Sequence, residues 1–131
     1  MEFNSLLTTQ DHDSGAELRI THPVTGEPTD VFVRLVGVDS RAFRALARER
    51  NRLRFSDVDA DGKHVQEPAQ LAEQRDIEML VASTLGWRGM TSDGKPMEFS
   101  KENALTLYEN SPDIKAQVDA FIFNRRNFIK G

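Results

Sequence analysis

Leu85-Gly86-Trp87-Arg88-Gly89, then Phe99-Ser100, then Ser111-Pro112-Asp113, then Asn124-Arg125-Arg126-Asn127-Phe128: these four groups punctuate the last third of the chain and decide its fold. A serine side chain can accept a hydrogen bond from the unpaired N–H groups of a first helical turn. Ser100 therefore reads as the cap of a short helix to Glu109 that buries Ala104, Leu105 and Tyr108. Ser111-Pro112-Asp113 is a fuller start signal: a cap, a proline whose fixed φ suits the first turn, and an acid near the positive helix end. Ile114, Val118, Phe121 and Ile122 then recur at helical spacing. Thr91 to Pro96 reads as a turn with Asp93-Gly94 at its tip. The last third is thus two capped helices hung on a Trp-containing turn, and none of it is a catalytic or ligand motif.

Upstream, Pro68 suits a first helical turn, and the pattern Ile77, Leu80, Val81, Thr84, Leu85 predicts a helix to about Leu85 with Gly86 as its stop. Residues 56–67 read as a charged loop. Asp39 or Ser40 caps an earlier helix ending near Phe55, with Phe43, Leu46, Ala47 and Leu53 towards one side. Before it, Leu18 and Ile20 alternate with Glu17, Arg19 and Thr21, Pro23 to Pro28 supplies turn chemistry, and Val31, Val33 and Leu35 form a β-rich second strand. A lone hairpin is marginal in water, so it must pack on the helices or pair with another chain. Strand addition at its edge is one self-association route, and a proline at Val33 is expected to abolish it. Residues 1–15 are expected to form a flexible tail, docked weakly through Leu6 and Leu7. The fold expected is α+β: an N-terminal β-hairpin (16–37) packed on about four helices (38–131), one domain over 16–131.

Bulk properties narrow the function. A chain of 131 residues with 38% hydrophobic and 29% charged residues has the size and balance of one globular domain. A net charge of -4 argues against a general binder of nucleic acid or anionic membrane. With no cysteine, disulfides, thiolate metal sites and thiol catalysis are excluded. The start lacks the charged and apolar regions of a signal peptide, and no apolar run approaches the roughly 18 residues of a membrane span. A cytoplasmic protein is expected.

Four constellations carry candidate chemistry. Asp57-Val58-Asp59-Ala60-Asp61-Gly62 begins like an EF-hand calcium loop, but the twelfth position, where a bidentate Glu belongs, is Pro68. The ordinary reading is a solvated acidic loop; a calcium-binding module is the alternative. Residues 41–54 hold six arginines against Glu49, a local charge of +5 that leaves -9 for the rest of the chain. Arg41, Arg44, Arg48 and Arg52 share one helical face, opposite the apolar one. That face is either solvated or a docking surface, for an acidic partner, for a second copy placed head to tail, or for phosphates in a small nucleic-acid-binding regulator. His12, His22 and His64 lack metal-ligand spacing, and no nucleophile triad or phosphate loop occurs, so no catalytic residue, metal or cofactor is expected. Trp87 reads as core packing. Phe123 lies off the last helix's stripe, and Phe128 and Ile129 follow the basic pair Arg125-Arg126; these three read as partner-surface candidates.

The "GW" after a helix, the aromatic-Ser helix opening and the "NRRNF" ending together resemble the C-terminal part of the tail assembly chaperones of long-tailed temperate bacteriophages. The likeness covers most of residues 30–128, is strongest over 85–128, and rests on order and spacing, not on one motif. It implies a non-enzymatic protein of the host cell cytoplasm that binds the tape measure protein, keeps that long helical chain soluble, helps recruit major tail tube subunits, and is absent from the mature virion. It implies no membrane or nucleic-acid partner and transfers no catalytic residue. In many members a frameshift near the gene's end gives a longer product, and Ile129-Lys130-Gly131 is compatible with a slippery heptamer there.

Overall fold

The computed structural model of the chain describes residues 1–56, 62 and 68–129, with residues 54–56 described by backbone alone. A 3-10 turn, Phe3–Leu6, and a short helix α1, Thr9–Ser14, lead into strands β1, Ala16–Thr21, and β2, Pro28–Leu35. Helices α2, Arg41–Ser56, and α3, Ala69–Ser83, follow, then strand β3, Thr84–Arg88. A small hairpin, β4 Thr91–Ser92 and β5 Lys95–Pro96, precedes helices α4, Lys101–Asn110, and α5, Pro112–Phe123, and a last 3-10 turn, Arg125–Asn127. The α+β class and the early hairpin follow the sequence reading.

The capping logic holds at three helix starts. Ser40 Oγ accepts from the Phe43 N–H at 3.0 Å, Ser100 Oγ from Asn103 at 3.0 Å, and Ser111 Oγ from Ile114 at 3.3 Å. Each cap contributes on the order of 1 kcal/mol. Asp93 and Gly94 turn the small hairpin with φ of 53° and 76°, the left-handed pair that a two-residue β-turn demands. Pro68 stands one position earlier than expected, as the cap residue in extended conformation, with the helix opening at Ala69.

β1, β2 and β3 form one antiparallel sheet with β2 in the middle. Alternation puts Ile20, Val33 and Leu35 inward, where they join Phe43, Ile77, Leu80, Ala104, Tyr108, Ile114, Val118 and Ile122 in the core. The opposite face carries an ionic layer: Arg88 stacks over Phe32 at 4.0 Å while its Nε donates to Glu17 at 2.9 Å. Gln117 of α5 ties the sheet to the helices. Its amide accepts from the Thr21 N–H at 3.0 Å and donates to the Thr21 carbonyl at 2.9 Å.

Three expectations are corrected. Thr84 and Leu85 do not finish the helix, and Gly86 to Arg88 are not a turn: all five residues form the third strand. Ser83 and Thr84 hydroxyls both donate to carbonyls four residues back, of Met79 and Leu80, each at 2.7 Å, satisfying helix-end acceptors with side chains so that the backbone can leave. Second, residues 1–15 are no tail throughout: α1 is folded onto the domain with His12 fully buried. Third, Val33 lies on the central strand at 0% exposure, not on an edge. A proline there removes an interior ladder bond and breaks the fold itself, so it cannot report on assembly.

Candidate functional site

Two places gather the residues that the sequence singled out. The first is a knot that joins the two ends of the chain. His12 of α1 stacks on Phe128 with ring centroids 4.9 Å apart, and Phe121 meets Phe128 edge-on at 5.4 Å. His12 Nδ1 accepts the Asp39 N–H at 3.1 Å, which places the proton of a neutral imidazole on Nε2. Nε2 stands 3.7 Å from an Asp39 carboxylate oxygen. Arg125 Nε donates to that carboxylate at 2.6 Å, and the ion pair holds Asp39 below the usual carboxylate range. Phe128, expected on a partner surface, is instead core at 1% exposure, its ring packed against His12 and Phe121. Ile129 is half-exposed, as expected of a surface residue.

The arginine face is largely committed inside the chain. Arg41 pairs with Asp13, and Arg44 reaches Thr9 Oγ1 at 3.5 Å, so this end of α2 holds α1 down. Arg52 bonds Glu49 on its own helix at 2.6 Å. Arg48 remains exposed with no ion pair among the described residues. The structure thus splits the four arginines: two fix α1, one is paired locally, and one is exposed with no ion pair among the described residues.

The second place is a groove of about 700 Å³ between α2, α3 and α5. From α2 come Phe43, Ala47 and Arg50; from α3, Asp76, Met79 and Leu80; from α4, Tyr108; from α5, Ala116, Asp119 and Phe123. Its floor is apolar and its polar floor atom is satisfied, since the Tyr108 hydroxyl bonds Thr84 Oγ1 at 2.7 Å. Phe123, off the helix stripe in the sequence, is 53% exposed and meets Phe43 edge-on at 5.5 Å, forming one lip. The rim is charged: Glu73, Asp76, Glu109 and Asp119 against Arg50 and Lys115. Arg50 is bound to Asp76 and sits near the Ala72 carbonyl at 3.4 Å. Asp119 is pushed above its ordinary pKa, by desolvation first and by Asp76 second, with Lys115 opposing.

Trp87 belongs to packing, as expected: its indole N–H donates to the Met97 carbonyl at 2.9 Å, and Phe99 meets it edge-on at 5.2 Å. The acidic run Asp57–Asp61 of the calcium alternative lies outside the described residues, as does His64. Among the described residues no cluster of three metal-ligating side chains occurs, and no helix is long and apolar enough to cross a membrane. Sequence reasoning missed the groove; its one visible signal was Phe123. No protein-family model, curated protein or solved structure matches the chain.

Proposed function

We propose that the chain is a tail assembly chaperone of a long-tailed temperate phage, a non-enzymatic protein of the host cytoplasm. It binds the tape measure protein, keeps it soluble, helps recruit major tail tube subunits and leaves before the virion is complete. The order and spacing of 85–128 support this reading, with Ser100 and Ser111 acting as caps where the resemblance requires helix starts. The observation that carries most weight is the helix-walled groove with an apolar floor and charged rim. A chaperone for a helical client needs apolar contact area for the client and charge around it for solubility. Self-association belongs to the same reading, through the sheet's outer strands β1 and β3.

The test is co-expression with the long helical protein encoded just downstream. The partner is expected to become soluble and to co-purify with this chain. If it stays insoluble with no complex, alone and with any frameshifted product present, the reading is overturned.

A further inference from the structure

We propose that the groove between α2, α3 and α5 docks an amphipathic α-helix of a partner protein, its apolar stripe on Phe43, Ala47 and Phe123 and a Lys or Arg at its edge set against Asp76 and Asp119. The inference deepens the chaperone reading and rests on it only for the partner's identity.

Dimensions come first. The α2 wall runs from Phe43 to Asn51 and the α5 wall from Pro112 to Phe123. At helical rise these are about 12 and 17 Å, two to three turns of a docked helix. A helix laid in such a trough contributes residues at i, i+3, i+4 and i+7. The exposed Phe123 ring is an aromatic anchor at the lip, where interface energy concentrates.

Charge sets the partner's chemistry. The rim holds four acids against two bases. Arg50 is already spent on Asp76, and among the described residues Asp119 has neither a hydrogen bond nor an ion pair. Asp76 and Asp119 act on each other as like charges across the trough. A cation placed between them adds to the partial compensation by Arg50 and Lys115, with Asp119 and the second oxygen of Asp76 as its acceptors. An acidic helix meets the same rim with like charges, so the groove selects by sign as well as shape.

The probes are two labelled helical peptides of about 18 residues with the same Leu/Phe stripe, one flanked by Lys and one by Glu, read by fluorescence anisotropy. The Lys peptide is expected to bind at least about tenfold tighter than the Glu peptide, and Ala116→Arg and Asp119→Lys each to weaken it about tenfold or more. Both positions are exposed on α5, so these variants fold, and unchanged circular dichroism confirms it. Arg48→Ala, outside the groove lining, is expected to leave both affinities within about twofold. Equal binding of the two peptides, no binding of either, or indifference to the α5 variants overturns the proposal. So does a self-dimer that Ala116→Arg dissociates, which gives the groove to a second copy. If the Lys peptide binds through the groove but the tape measure protein does not co-purify, the groove stands and the chaperone reading falls. If the tape measure protein co-purifies equally with Ala116→Arg, the reverse holds.

Discussion

At the scale of single residues, the chain's two ends are held by one imidazole. His12 is buried at 0% exposure, and Gly37 leaves it the space: a Cβ on Gly37 would lie 2.0 Å from His12 Nδ1. Gly37→Ala is therefore expected to cost about 1–3 kcal/mol as overpacking, and His12→Ala about 2–4 kcal/mol as a cavity. The two costs should not add. With the imidazole gone the new methyl has room, so Gly37→Ala in the His12→Ala background should cost almost nothing in urea unfolding. Full additivity would mean that the clash is relieved elsewhere. Nothing in the sequence marks His12 as buried, because one buried residue in a six-residue polar helix creates no periodicity, and the helix reads with the rest of 1–15 as a tail. Asp119 gives a second test at this scale. Its folded pKa is raised, so the folded state holds the proton more tightly than the unfolded state. That costs stability as pH rises above the ordinary Asp value near 4, and costs nothing below it. Asp119→Asn should raise Tm by about 1–2 °C at neutral pH and leave it unchanged near pH 3. Asp39 and Glu17, both lowered by arginine partners, act with the opposite sign: their contribution is present at neutral pH and is lost as pH falls through their depressed values.

At the scale of elements, the informative departure is β3. Ile77, Leu80, Val81, Thr84 and Leu85 keep helical spacing past the real helix end, so a pattern read from spacing alone runs on to Gly86. What ends the helix is long-range: β2 offers pairing from Leu35 to Phe32, and the ladder steps over one residue so that Leu85 bulges out, 48% exposed. α4 and α5 were legible because their caps are local chemistry. The helix-to-strand switch is locked by one buried hydroxyl. Thr84 Oγ1 donates to the Leu80 carbonyl, so the Tyr108 hydroxyl must be the donor in the 2.7 Å contact between them. Thr84→Val strands the buried Tyr108 hydroxyl and should cost about 1–3 kcal/mol, whereas Tyr108→Phe leaves the Thr84–Leu80 bond in place and should cost about 1 kcal/mol or less. Thermal unfolding of the two variants decides it; an equal loss would mean that the Tyr108 hydroxyl has another partner within reach.

At the scale of the molecule, function turns on which charges are still free. From the sequence, six arginines within 41–54 make a basic helix on an acidic protein, and the spacing could not say which of them are spent. The folded chain spends Arg41 on Asp13, Arg50 on Asp76 and Arg52 on Glu49. Phosphate binding releases counterions in proportion to the free cations that a surface offers, with a slope of about -0.9 per phosphate neutralised. A face whose cations already carry carboxylates offers few. The wild-type chain is therefore expected to pass a duplex-DNA column at about 150 mM salt, with at most a shallow salt dependence at lower ionic strength. Freeing two arginines by Asp13→Asn and Glu49→Gln should steepen the slope by about 2. Strong retention of the wild type, with a slope that the double variant leaves unchanged, would show that the basic helix reads phosphates despite its internal pairs. The nucleic-acid regulator would then displace the chaperone as the better account of this surface. If only the double variant is retained, the acids at positions 13 and 49 are what keep an arginine helix from behaving as a nucleic-acid site, and the groove on its other side is left as the surface on which this helix meets a partner.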